Sequence, residues 1–121
     1  MSNGWTVLFH RVFKAEFAEF AEGVQDEILV SVGFLKFAGP QLGRPRVDTL
    51  KGSKHSNMKE LRFKAAGGVW RVAFAFDPER RAVLLVAGNK SGTSEKRFYQ
   101  RLIATADVRF DEYLATLRRD R

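Results

Sequence analysis

The chain contains no cysteine, so disulfides and thiolate metal sites are excluded. Histidine is almost as scarce, with two in 121 residues, too few for a typical zinc site. No apolar run approaches the ~20 residues of a membrane span. The opening MSNGWTVLF lacks a basic region followed by a long apolar run, so no targeting segment is expected. These absences point to a soluble, cytoplasmic protein with no membrane contact, no metal and no small-molecule cofactor. Acid is the charge in short supply: Asp and Glu number 14 against 21 Lys and Arg, a net charge of +7.

An excess of positive charge attracts polyanions at long range and gains from counterion release. Nucleic acid is the obvious partner class; the alternative is a soluble protein that happens to be basic. An acidic protein partner would also fit. Hydrophobic residues make up 45% and charged residues 29%, an ordinary globular balance. The length suits one domain spanning residues 1–121 and is too short for two. Eleven Phe can fill a compact core.

Trp5 to Phe9 reads as a short strand. Phe13, Phe17 and Phe20 recur at helical spacing, and Gly23 is expected to end that helix. A second helix is predicted from about Val24 to Phe37, with Val24, Ile28, Val32 and Leu35 along one stripe. Gly33 weighs against it by about 1 kcal/mol. Residues 38–45 read as loop, 47–50 as extended and 51–57 as polar loop. Three strands follow, at about 58–64, 69–76 and 82–88, joined by Gly67-Gly68 and by the turn at Asp77–Arg80. Short connections imply an antiparallel meander. Thr93 or Ser94 is a candidate N-cap for a last helix from Glu95 to about Leu117, and the tail 118–121 is expected to fray.

Strand parity carries the functional reading. If Leu61 and Phe63 face the core, Glu60, Arg62 and Lys64 face the other way. On the next strand Trp70, Val72, Phe74 and Phe76 form the apolar set, with Arg71, Ala73 and Ala75 opposite. Small alanines beside Arg71 suggest open space above the sheet. Glu60, Arg62, Arg71 and Lys90 would then share an exposed sheet face able to grip phosphate.

The segments LGRP at 42–45, LKGS at 50–53, NMKELR at 57–62, VWRVAFAFDPERR at 69–81, LLVAGNKSG at 84–92 and EKRFYQRLIATAD at 95–107 resemble the HigB-like branch of the RelE/ParE toxin superfamily. The resemblance implies an α+β, RelE-like compact domain: an N-terminal helical hairpin packed on a small antiparallel sheet, with a C-terminal helix. It implies the toxin of a type II toxin–antitoxin module. HigB- and RelE-like members cleave mRNA, mostly on the ribosome, whereas ParE-like members inhibit DNA gyrase. An inactive domain that only binds its antitoxin is a further alternative. The expected partners are mRNA, the ribosome and a cognate antitoxin, a small helix-turn-helix DNA-binding protein.

Arg71 resembles the phosphate-contacting arginine of RelE-like nucleases, and a guanidinium can hold a phosphate through two donors. It could instead be a surface arginine paired with Glu60. Arg62, on the same face, could share the charge stabilisation; two like charges at close range need an anion or carboxylate between them. Glu60 is a candidate base for the ribose 2′-hydroxyl, or a carboxylate that merely orients the arginines. Some relatives carry lysines where this chain has Met58 or Glu60. Lys90 corresponds to a basic active-site residue in relatives and could steady the leaving 5′-oxygen. His55 has the right titration range for acid–base work but lies in a loop. Lys51, Lys59 and Lys64 are candidates for RNA-backbone contact. One of Phe98 and Tyr99 should pack inward, leaving Tyr99 to stack on a base. Trp70 reads as core, and His10 is assigned no role.

Overall fold

A computed structural model describes residues 4–120. The elements run β1 (Thr6–Phe9), α1 (Arg11–Ala18), α2 (Glu22–Ala38), a short 3-10 turn (Gly39–Gln41), β2 (Val47–Thr49), β3 (Met58–Ala65), β4 (Gly68–Phe76), β5 (Arg81–Asn89) and α3 (Glu95–Arg119). The strands form one sheet in the order β1-β5-β4-β3-β2. Neighbours are antiparallel except β1, which runs parallel to β5 at one edge. That pairing needs a long crossover, which the helical hairpin and the intervening strands supply.

His10 caps α1, its Nδ1 accepting from the Val12 amide at 3.2 Å. The chain turns before Gly23, which falls in the first turn of α2. Helix α2 runs straight through Gly33. Val24, Ile28, Val32 and Leu35 are all buried, and that burial outweighs the glycine penalty. The β3–β4 turn is Ala66-Gly67, both at positive φ (49° and 75°), one residue earlier than the Gly67-Gly68 expected. Gly68 instead opens β4, where a Cβ would collide with the Asn89 side chain.

The hairpin α1–α2 covers one face of the sheet, over Leu61, Phe63, Val72, Phe74, Ala82 and Leu84. The strand parity of the sequence reading holds throughout. The expectation of an open opposite face does not. Helix α3 lies across that face, packing Phe98, Leu102, Ala106 and Phe110 onto Met58, Ala73, Ala75, Val83 and Leu85. The alanines of β4 make room for a helix, not for solvent. Gly88 serves the same end, since a Cβ there would stand 2.8 Å from the Phe98 ring.

Ser94 caps α3 by accepting from the Arg97 amide at 3.3 Å. The helix continues through Arg119, beyond the expected end at Leu117; Arg121 of the tail, like residues 1–3 of the opening stretch, lies outside the described residues. Near its C-terminal end, the Tyr113 hydroxyl donates to Asp77 Oδ2 at 2.6 Å. Asp77 also accepts from the Glu79 and Arg81 amides (2.8 and 2.9 Å) and from Arg81 Nε (2.7 Å). One buried carboxylate thus closes the β4–β5 turn and anchors α3. Among the described residues no helix is long and apolar enough to cross a membrane.

Candidate active site

The β3–β4 register sets Arg62 directly opposite Arg71, both on the α3 face. Two guanidiniums so placed repel unless an acid lies between them. Glu60, on the same face of β3, supplies it. Arg62 Nη1 donates to Glu60 Oε2 at 3.0 Å, and Arg71 Nε lies 3.7 Å from Glu60 Oε1. Tyr99 of α3 completes the cluster: its hydroxyl donates to Glu60 Oε1 at 2.8 Å and accepts from Arg71 Nε at 3.1 Å. Arg71 Nη1 donates to the Trp70 carbonyl at 2.9 Å. Glu60 and Arg71 are only 4% and 6% exposed, while Arg62 keeps an outer edge in solvent.

Burial, and then the hydrogen bond to Glu60, push the Tyr99 hydroxyl above its ordinary pKa, so it stays a neutral phenol. Its one proton is committed to Glu60. Lys90, just past β5, holds Glu95 Oε1 at 2.9 Å and stands 5.9 Å from the centre of the Tyr99 ring. The bond from Lys90 lowers the Glu95 pKa, with smaller contributions from the fields of Arg71 and Arg62. The cluster thus extends from β3 across β4 to the start of α3.

Beside it a groove of about 960 Å³ runs between the β2 edge and the first half of α3. Glu60 and Tyr99 form one wall, Leu50 and Ile103 are apolar, and Lys51 and Lys96 lie along the rim. Arg44, also on the rim, is paired with Asp48 at 2.8 Å. The groove is thus lined on one side by the buried Glu60 carboxylate, which Arg62 and Arg71 flank.

A family model described as phage derived protein Gp49-like matches residues 15–111. The chain is 46% identical over 86 residues to HigB3 of Mycobacterium tuberculosis, named as a toxin, covering 71% of this chain and 73% of that protein. It is 40% identical over 119 residues to HigB2 of the same organism, also named as a toxin, covering 94% of this chain. The chain belongs to the Gp49-like family, in the HigB-like branch of the RelE/ParE toxin superfamily. It spans 56% of the length of HigB2. A solved structure of the E. coli toxin RelE, a double mutant in the free state, shares the fold with a TM-score of 0.56 at 11% identity, covering 84% of this chain and 95% of that one.

In this HigB-like chain, tertiary structure brings together Glu60, Arg62, Arg71, Lys90 and Tyr99, and sets Lys51 on the groove. Arg71 is not the exposed fork expected, because α3 buries it. The Tyr99 hydroxyl is engaged on both sides, so it is a member of the charge cluster and not a free stacking platform. Lys64 is exposed on the same face at the far end of β3. Lys59 has the parity of Leu61 and Phe63 and projects from the opposite face, away from the groove. His55 Nε2 pairs with Asp111 Oδ1 at 2.8 Å, and its ring packs edge-on to Phe110. Asp111 lies twelve residues along α3 from Tyr99, about 18 Å at 1.5 Å per residue. His55 therefore fastens the loop 51–57 to α3 and stands apart from the cluster. Trp70 is half-buried against Phe20 on the hairpin side. Glu95 and Lys96 escaped the sequence reading; the run EKR at the start of a helix aimed at the sheet was the available signal.

Proposed function

We propose that this HigB-like chain is the toxin of a toxin–antitoxin module and acts as a ribosome-dependent, metal-independent mRNA endoribonuclease. The observation that carries the proposal is the Glu60–Arg62–Arg71–Tyr99 cluster at the wall of a groove with lysines on its rim. The mRNA backbone enters along Lys51 and Lys96. Its scissile phosphate approaches the exposed edge of Arg62 and draws that guanidinium off Glu60. Glu60 Oε2, freed of its partner, takes the proton from the ribose 2′-hydroxyl. The 2′-oxygen attacks phosphorus, the bond to the 5′-oxygen breaks, and a 2′,3′-cyclic phosphate forms. Arg62 and Arg71 stabilise the added negative charge. Lys90, released from Glu95, gives the leaving 5′-oxygen its proton. Water then opens the cyclic ester to a 3′-phosphate. Tyr99, with its raised pKa, serves as the hydrogen-bonded strut between Glu60 and Arg71 and not as an independent base. The ribosome supplies the alignment of substrate that so small a protein lacks. A cognate helix-turn-helix antitoxin holds the protein silent.

The test is primer extension on message from a cell-free translation reaction. Wild type, Arg62→Ala and Arg71→Lys are compared with and without ribosomes. New 5′ ends that require both ribosomes and the arginines are expected. Cuts on free RNA would remove the ribosome from the mechanism. No cuts from folded wild type would overturn the nuclease reading and direct attention to gyrase supercoiling.

A further inference from the structure

The outer face of α2 carries an apolar stripe that stays exposed among the described residues, with the Arg46 guanidinium over part of it. Leu29, Val30, Phe34 and Phe37 are all exposed, Phe37 at 89%. They recur at helical spacing on the side opposite Ile28, Val32 and Leu35, which face the sheet. At the middle of the stripe Gly33 has nothing within 4 Å of where a Cβ would stand, and Val30, Gly33, Phe34 and Phe37 line a shallow notch there. A glycine in mid-helix weakens the helix, yet here it leaves a depression into which an apolar side chain can seat.

The charges around this stripe are segregated along the helix. Glu22, Asp26 and Glu27 lie on the N-terminal half. Lys36 lies near the C-terminal end, and the Arg46 guanidinium sits nearer the middle, 4.4 Å over the Phe34 ring and donating to Ser31 Oγ at 3.3 Å. A helix with acid at one end and base at the other complements itself when turned end for end. Two copies of α2 packed antiparallel about a point midway between Val30 and Gly33 set Asp26 and Glu27 of each against Lys36 of the other. Val30 of one copy then enters the notch of its partner. The basic excess of the chain does not oppose this contact, because the lysine-rimmed groove is on the far side of the sheet.

From this self-complementarity we infer that α2 is a homodimer interface, a two-fold antiparallel contact centred between Val30 and Gly33. It stands independently of the nuclease reading. A single 17-residue helix offers less than the ~800 Å² per partner of a standard interface. The dimer is therefore weak, and the catalytic groove of each copy stays open.

Sedimentation equilibrium of the purified chain over a wide concentration range tests this. Wild type should show a reversible monomer–dimer equilibrium. Phe37→Glu should weaken it by about tenfold or more; Phe37 is so exposed that the monomer fold is not at stake. Asp26→Lys and Lys36→Glu should each weaken self-association alone, and an equimolar mixture of the two should restore it. A wild type that stays monomeric at every concentration would overturn the inference. So would a dimer indifferent to Phe37→Glu, or paired charge variants that fail to rescue each other. Protection of the stripe only in a complex with an antitoxin would show that its occupant is another protein, and would overturn it equally.

Discussion

Arg62 and Arg71 face each other across adjacent strands, and Glu60 accepts from the first while lying 3.7 Å from the second. The pair is tolerable because of that carboxylate. Glu60→Gln should therefore destabilise the fold by about 1–3 kcal/mol, as unpaired charge in a mostly buried site does. Urea denaturation measures the loss. Inorganic phosphate should recover part of it in the variant and little in wild type, because an anion can replace the missing carboxylate between the guanidiniums.

Tyr99→Phe removes one hydroxyl and keeps the ring. Glu60 loses its 2.8 Å donor and Arg71 its 3.1 Å acceptor. On the nuclease reading, cleavage should fall by roughly a hundredfold while the circular dichroism spectrum is unchanged. Wild-type rates in Tyr99→Phe would remove the hydroxyl from the mechanism.

His55→Asn should leave the cleavage rate at the wild-type level. It should cost about 1 kcal/mol of stability by breaking the contact to Asp111 that ties the loop to α3. Loss of cleavage with stability intact would return His55 to the site.

Asp77 sets an acid limit. Burial acts to raise its pKa, but hydrogen bonds from Tyr113, Arg81 and Glu79 outweigh it, and the net shift is below the ordinary 3.8. A carboxyl with a depressed folded pKa stabilises above its unfolded pKa and loses that contribution as pH falls through the folded one. The stability advantage of wild type over Asp77→Asn should be constant from neutrality to about pH 4 and should shrink below it. Denaturation midpoints across that range provide the check.

Ala66 holds φ at 49° in a two-residue turn where Gly67 is at 75°. An alanine in the left-handed region costs about 1 kcal/mol, and asparagine is better tolerated there. Ala66→Asn should raise the thermal midpoint by a few degrees without changing activity.

The sequence determined the elements and their faces. Alternation at Glu60, Leu61, Arg62 and Phe63 assigned each side chain to a side of the sheet, because strand periodicity is a local property of the backbone. The stripe from Phe98 to Phe110 and the stripe from Val24 to Leu35 each announced a helix with one buried face. The net charge of +7 was legible for a similar reason: charge is additive along the chain. Only the tertiary structure decided which helix covers which face. Packing α3 over Ala73 and Ala75 buried Arg71 and brought the Tyr99 hydroxyl between Glu60 and Arg71, residues 39 and 28 positions away in sequence. It also carried His55 to Asp111 instead of to the arginines. Such contacts depend on how apolar surfaces of distant segments fit together, and no short-range pattern encodes that fit.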